Sequence, residues 1–206
     1  MITALEALDR LKQGNKRFAS GNSQLSPSMS QSRREELIDG QEPFAVVLGC
    51  ADSRVPVEMI FDQGLGELFV IRVAGNVVAS SQIGSIEFAA EKFGTRLVVV
   101  LGHQGCGAVS ATLSELRQPT ENRSRGLSSI VNRIKPAVEV LLETDVDMDE
   151  EKLVNRAVRA NVRVSASFLR HGSEILERMT EGDGLLIVGA EYSMATGEVD
   201  FFDGLP

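Results

Sequence analysis

At 206 residues with 43% hydrophobic side chains, the chain carries enough apolar surface for one sizeable α/β domain. Its net charge of -8 argues against nonspecific nucleic-acid or anionic-membrane binding, both of which need a basic face. No apolar run approaches the roughly 20 residues of a membrane span, and charges interrupt residues 2–10, where a signal peptide needs an apolar core. The expectation is a reduced, cytoplasmic protein whose two cysteines serve as thiolate ligands rather than as a disulfide.

Ala4, Leu5, Leu8, Leu11 and Phe18 recur at helical spacing and predict an amphipathic helix over 2–19. Its stripe needs a partner, either its own domain or a second copy. A polar loop with Pro27 covers 22–30, and a short charged helix over 32–38 stops at Gly40. The apolar run 44–49 predicts the first strand. Pro56 suits a helix first turn, and 57–61 gives one or two turns. A second strand follows over 67–73. Ser80 or Ser81 is expected to cap a helix reaching Phe93, with Gly94 ending it. The third strand, 97–101, leads to His103, and a helix is expected over about 108–116. A loop over 118–125 precedes helices over 127–142 and 152–171 and a short one over 173–179. The acidic run 145–151 reads as a solvated helix start. Strands over 184–190 and 198–202 are joined at Thr196-Gly197. This alternation predicts an α/β fold, a mostly parallel sheet of about four to five strands flanked by helices, with the last strand antiparallel at an edge. The chain reads as one domain, a helical N-terminal arm over 1–40 and an α/β core over 41–206.

The chemistry concentrates at two strand ends. Each run is β-branched, stops at a glycine (Gly49, Gly102) and then presents a metal-capable side chain. That is the pattern of the carboxyl edge of a parallel sheet, where open α/β folds bind ligands. A single His-x-x-Cys is weak evidence, but here both cysteines of the chain sit at matching strand ends. Cys50, His103 and Cys106 make a Cys2His set, and three protein ligands with a fourth position open is the pattern of catalytic zinc. Cobalt or iron suits the same set less well. Cys106 lies where a helix begins, and unpaired amides there favour its thiolate. Asp52 and Arg54 add a carboxylate and a guanidinium beside the open position.

Cys-Ala-Asp-Ser-Arg at 50–54 followed by Gly-His-x-x-Cys-Gly at 102–107 resembles the β-class carbonic anhydrases, and the likeness extends over nearly the whole chain. The resemblance implies one Zn2+ per chain and reversible hydration of carbon dioxide to bicarbonate and a proton by metal-bound hydroxide. It also implies a homo-oligomer, a dimer or dimer of dimers with N-terminal helices across the neighbouring subunit, and no nucleic-acid or membrane partner. In that family the position of Asp52 is a fourth ligand in a closed state and is held off by the position of Arg54 in an open one. By the same likeness Gln41 hydrogen-bonds substrate, Phe69, Ala74 and Phe88 line the cleft, partly across a dimer interface, and Gly107 offers a backbone N–H. The closed subgroup has a tryptophan where Val47 stands here, although Arg72 and Tyr192 resemble the other two members of its bicarbonate pocket. Gln41 without that tryptophan predicts the open form. Carbonyl sulfide or carbon disulfide hydrolysis on the same site, and a noncatalytic zinc or bicarbonate sensor, are the competing readings. A dinucleotide-binding protein falls, because no Gly-x-Gly-x-x-Gly follows the first strand. His171 reads as a surface residue.

Overall fold

The computed structural model describes residues 2–25, 30–119, 124–144 and 148–206. Pro27, the middle of the 118–125 loop and the start of the acidic run lie outside the described residues.

Helix α1 (Ala4–Ala19) opens on a capping box. The Thr3 hydroxyl accepts from the Glu6 N–H at 3.2 Å, and the Glu6 carboxylate accepts from the Thr3 N–H at 2.7 Å. A short helix α2 (Gln31–Glu36) follows, then β1 (Ala45–Gly49), α3 (Val57–Ile60) and β2 (Leu68–Arg72). After a 3-10 turn at Ala74–Asn76 come α4 (Ser80–Lys92), β3 (Leu97–His103), α5 (Gly107–Arg117), α6 (Arg125–Thr144), α7 (Glu150–His171), α8 (Glu174–Gly182), β4 (Leu186–Tyr192) and β5 (Val199–Asp203). No helix among the described residues is long and apolar enough to cross a membrane.

The strands form one five-stranded sheet in the order β2-β1-β3-β4-β5, parallel except for β5, which runs antiparallel to β4 at the edge. Every residue of β1 and β3 is buried, as expected of strands covered on both faces. One core holds α1 and α3 against one face, through Leu8, Leu11, Val57 and Ile60; another holds α4, α7 and α8 against the other, through Ile86, Val162 and Leu176. The β1-to-β2 crossover and the β2-to-β3 crossover therefore lie on opposite faces. That makes the gap between the carboxyl ends of β1 and β3 a topological switch point, where α/β sheets bind ligands.

Of the two partners open to the α1 stripe, the structure has its own sheet. Ala7, Leu8 and Leu11 share a core with Val47, Val99 and Val188. The Asn15 amide donates to the Ile60 carbonyl at 3.2 Å and the Gly197 carbonyl at 2.9 Å, while its oxygen accepts from the Val199 N–H at 2.8 Å. Gly14 is needed for this close approach, since a Cβ there falls 1.8 Å from the Phe61 carbonyl oxygen. Leu11→Ala is expected to destabilise the chain by about 2–5 kcal/mol, because Leu11 is fully buried and leaves a cavity. Chemical denaturation measures this, and a loss below about 1 kcal/mol contradicts docking of α1 on its own sheet.

Asp62 clamps the segment after α1. Its carboxylate accepts from the Ser23 hydroxyl at 2.7 Å, the Gln24 N–H at 2.8 Å and the Arg17 guanidinium at 2.5 Å. Burial pushes the Asp62 pKa up, but these hydrogen bonds and the Arg17 charge together hold it below the usual carboxylate range. A lowered folded-state pKa gives stability that is present above the unfolded value, about 4, and lost as pH falls through the folded one. Asp62→Asn is expected to lower Tm at pH 7 and to converge with the parent as the pH falls below the unfolded carboxylate value of about 4. Parallel Tm curves across that range contradict the clamp.

Two local expectations are corrected. Neither Ser80 nor Ser81 caps α4: the N-cap is Ala79, without a side-chain cap, and the Ser81 hydroxyl turns to the Gln82 side chain. Strand β3 runs on to His103, because β4 continues the ladder as far as the His103–Tyr192 pair.

Candidate metal centre

Cys50 follows β1 directly, and His103 ends β3. The parallel register that sets Gly49 beside Leu101 brings both to the switch point. Cys106 is the N-cap of α5, three residues on. The ligand atoms of Cys50, His103 and Cys106 lie within 4.8 Å of one another, and all three residues are buried. The two sulfurs are 4.0 Å apart and both cysteines are free.

The donor set suits a soft or borderline divalent cation. His103 Nδ1 lies 3.1 Å from the Gln104 carbonyl oxygen, the arrangement that places the proton on Nδ1 and leaves the Nε2 lone pair for a metal. Nε2 is buried and has no hydrogen-bond partner among the described residues. The hydrogen bond from Cys106 holds the Cys50 thiol below its usual range against burial, with help from His103 and the Asp52 and Gly75 amides. The same hydrogen bond, with burial, pushes the Cys106 thiol up. The Ala108 and Val109 amides of α5 favour the Cys106 thiolate, although none closes to hydrogen-bond geometry. A buried site with an orphaned imidazole nitrogen and two free sulfurs is a donor set that could hold a cation.

Asp52 and Arg54 stand beside it. Arg54 donates through Nε to Asp52 Oδ1 at 2.9 Å and through Nη2 to Oδ2 at 2.7 Å, and its backbone N–H adds a third bond to Oδ1 at 3.0 Å. This two-pronged grip holds the Asp52 carboxyl well below the usual carboxylate range. Asp52 Oδ2 is 3.8 Å from His103 Nε2. Arg72 fixes the loop from the side, donating to the Cys50 carbonyl at 3.0 Å and the Asp52 carbonyl at 2.5 Å.

Ala74, in the turn beside Cys50, and Gly107, the exposed first residue of α5, belong to the same end of the sheet. Gln41, Phe69 and Phe88 do not. Gln41 precedes β1 and lines a cavity of about 600 Å³ at the amino end of the sheet, with Arg10, Phe44, Lys92 and Phe93. The length of β1, on the order of 15 Å at about 3.3 Å per residue, separates it from Cys50. Phe69 pairs with Val46 in the β1–β2 register and stacks with Phe88 and Phe93, with ring centroids 6.3 and 6.1 Å away. Phe88 is 51% exposed. Val47 and Tyr192 are buried in the core shared with α1, and Arg72, at the carboxyl end of β2, holds the 50–52 backbone. The His171 side chain is 69% exposed at the end of α7.

The carbonic anhydrase family profile matches residues 45–199. The chain belongs to the β-carbonic anhydrase family. Carbonic anhydrase 2 of Mycobacterium tuberculosis is 42% identical over 191 residues, covering 91% of this chain and 87% of that protein. The β-carbonic anhydrase CafA of Aspergillus fumigatus superposes with a TM-score of 0.76 at 25% identity, covering 98% of this chain and 91% of that one. One of two tetrameric β-carbonic anhydrases from Sordaria macrospora shares the fold with a TM-score of 0.74 at 22% identity, covering 96% and 97%. The sheet that carries the site is mostly parallel and flanked by helices, with a helix ahead of the first strand, and the superposition on CafA spans nearly all of it.

The strand-end reading did not single out Gly75, whose N–H donates to Cys50 Sγ at 3.3 Å. Two cues were present. Ala-Gly-Asn ends a strand, and α7 carries two polar residues, Asn161 and Ser165, inside its buried apolar stripe.

Proposed function

We propose that this β-carbonic anhydrase family member catalyses the reversible hydration of carbon dioxide to bicarbonate and a proton, with one Zn2+ held by Cys50, His103 and Cys106. The observation that carries the reading is the buried cluster of Cys50, His103 and Cys106, whose ligand atoms lie within 4.8 Å of one another, with His103 Nε2 unpartnered among the described residues. Bound there, zinc supplies the Lewis acidity that makes a water nucleophilic near neutral pH.

The chain's own groups do the rest. Arg54 occupies both Asp52 oxygens and keeps the carboxylate in an open arrangement, off the cation. Asp52 remains an anion across neutral pH and accepts a hydrogen bond from the attacking water, orienting it toward the carbon. Gly107 offers its N–H at the exposed start of α5. We read the chain as one domain acting within a homo-oligomer, in which Gln41, Phe69 and Phe88 of one copy cover the site of another. Their position at the far end of the sheet, with Phe88 half exposed, supports that arrangement. Ala74 lines the cleft from within the same chain.

Stopped-flow hydration of carbon dioxide, beside hydrolysis of carbonyl sulfide and carbon disulfide by the same zinc-loaded protein, tests the substrate. Carbon dioxide is expected to be the preferred substrate. Faster turnover of either sulfur compound reassigns the substrate, and zinc binding with no turnover of any of the three points to the sensor.

A further inference from the structure

The turn that touches Cys50 is held in an unfavourable backbone conformation by a helix that contributes no metal-ligating residue. Gly75 has φ 68° and ψ 21°, and the next residue, Asn76, has φ 43°. Consecutive left-handed residues, one of them not glycine, persist only where the surroundings enforce them, and such outliers gather at functional sites. Two side chains of α7 enforce this one. Asn161, 1% exposed, donates to the Gly75 carbonyl at 2.8 Å, and the buried Ser165 hydroxyl donates to the Asn76 carbonyl at 3.1 Å. Both sit on the α7 face that is otherwise apolar. With the two carbonyls fixed, the Gly75 N–H is left aimed at Cys50 Sγ. A Cβ on Gly75 would fall 2.8 Å from Ile134 Cδ1, so α6 closes the turn from the other side.

We propose that Asn161 and Ser165 are positioning residues of the metal centre, locking the Gly75–Asn76 turn so that its N–H is delivered to the Cys50 sulfur. This rests on the reading that Cys50, His103 and Cys106 hold a metal. Groups that orient a ligand through hydrogen bonds are worth about 10–100-fold in metal affinity. A hydrogen bond to a thiolate also lowers the energy of its lone pairs, which moves thiolate-to-metal charge transfer to shorter wavelength.

The test is cobalt(II) titration of metal-free full-length protein, reading the thiolate-to-cobalt absorption band and the affinity by chelator competition. Asn161→Ala and, separately, Ser165→Ala are compared with Leu169→Ala, which removes a fully buried side chain from the same helix without touching the turn. The expected result is a longer-wavelength band and an affinity about tenfold or more weaker in the Asn161 and Ser165 variants, with Leu169→Ala matching the parent. Should Asn161→Ala not fold, Ser165→Ala, which loses a single hydroxyl, carries the same comparison. Folded variants with the parent's band and affinity overturn the proposal, as does an equal change in Leu169→Ala. A parent that gives no thiolate band overturns the metal-site reading instead, so the two failures are distinguishable.

Discussion

Cys106→Ser is expected to abolish stoichiometric zinc binding and, with it, carbon dioxide hydration, a loss on the order of 10⁶-fold, the low end of enzymatic accelerations. The serine hydroxyl has the size to fill the N-cap of α5, but it does not ionise at neutral pH and is a poor ligand for a borderline-soft cation. Only Cys50 and His103 then remain to hold the metal. Cys106 is buried beside Val109, Leu113 and Ile134, and a hydroxyl adds no volume there, so the fold is expected to survive. Zinc content by elemental analysis and stopped-flow hydration, read on the same sample, check this. Retention of one zinc per chain at parental affinity contradicts the assignment of Cys106 as a ligand.

The second large effect is expected at Arg54. Its side chain is 58% exposed, so its removal costs little stability, yet it supplies both guanidinium bonds to Asp52. Without that grip the carboxylate, already 3.8 Å from His103 Nε2, is free to swing into the open coordination position. Arg54→Ala is therefore expected to keep its zinc and lose about 10²-fold or more in kcat/KM, the scale of losing one aligned electrostatic group. Arg54→Lys keeps the charge but not the two-pronged geometry and restores only part of the loss. Parental kcat/KM in Arg54→Ala contradicts the gating role.

Much of the site was legible because it is local. A β-branched run that stops at glycine and then presents cysteine or histidine says where a ligand stands, and parallel pairing of β1 with β3 brings Cys50 and His103 together. Asp52 and Arg54 lie two residues apart, so their ion pair also needs only local geometry. The rest depends on contacts that no spacing encodes. Asn161 and Ser165 meet Gly75 and Asn76 across 86 and 89 residues of chain. The partner of α1 was not legible, because an amphipathic stripe fits a foreign surface as well as its own; Gly14 and Asn15 fit it to this sheet. The ladder that carries β3 to His103 depends on β4, more than eighty residues later. Gln41 was placed by likeness to the family alone, and one chain holds it at the amino end of the sheet, about a strand's length from Cys50.

If Cys50, His103 and Cys106 hold the metal that enables hydration of carbon dioxide, activity must follow the metal. The most direct test strips the protein with a chelator, restores zinc to one equivalent per chain, and measures hydration by stopped flow from pH 6.5 to 9 at each stage. Hydration is expected to disappear with the metal, return with zinc and persist at neutral pH. Zinc bound at one per chain with no hydration above buffer at any pH would contradict this expectation.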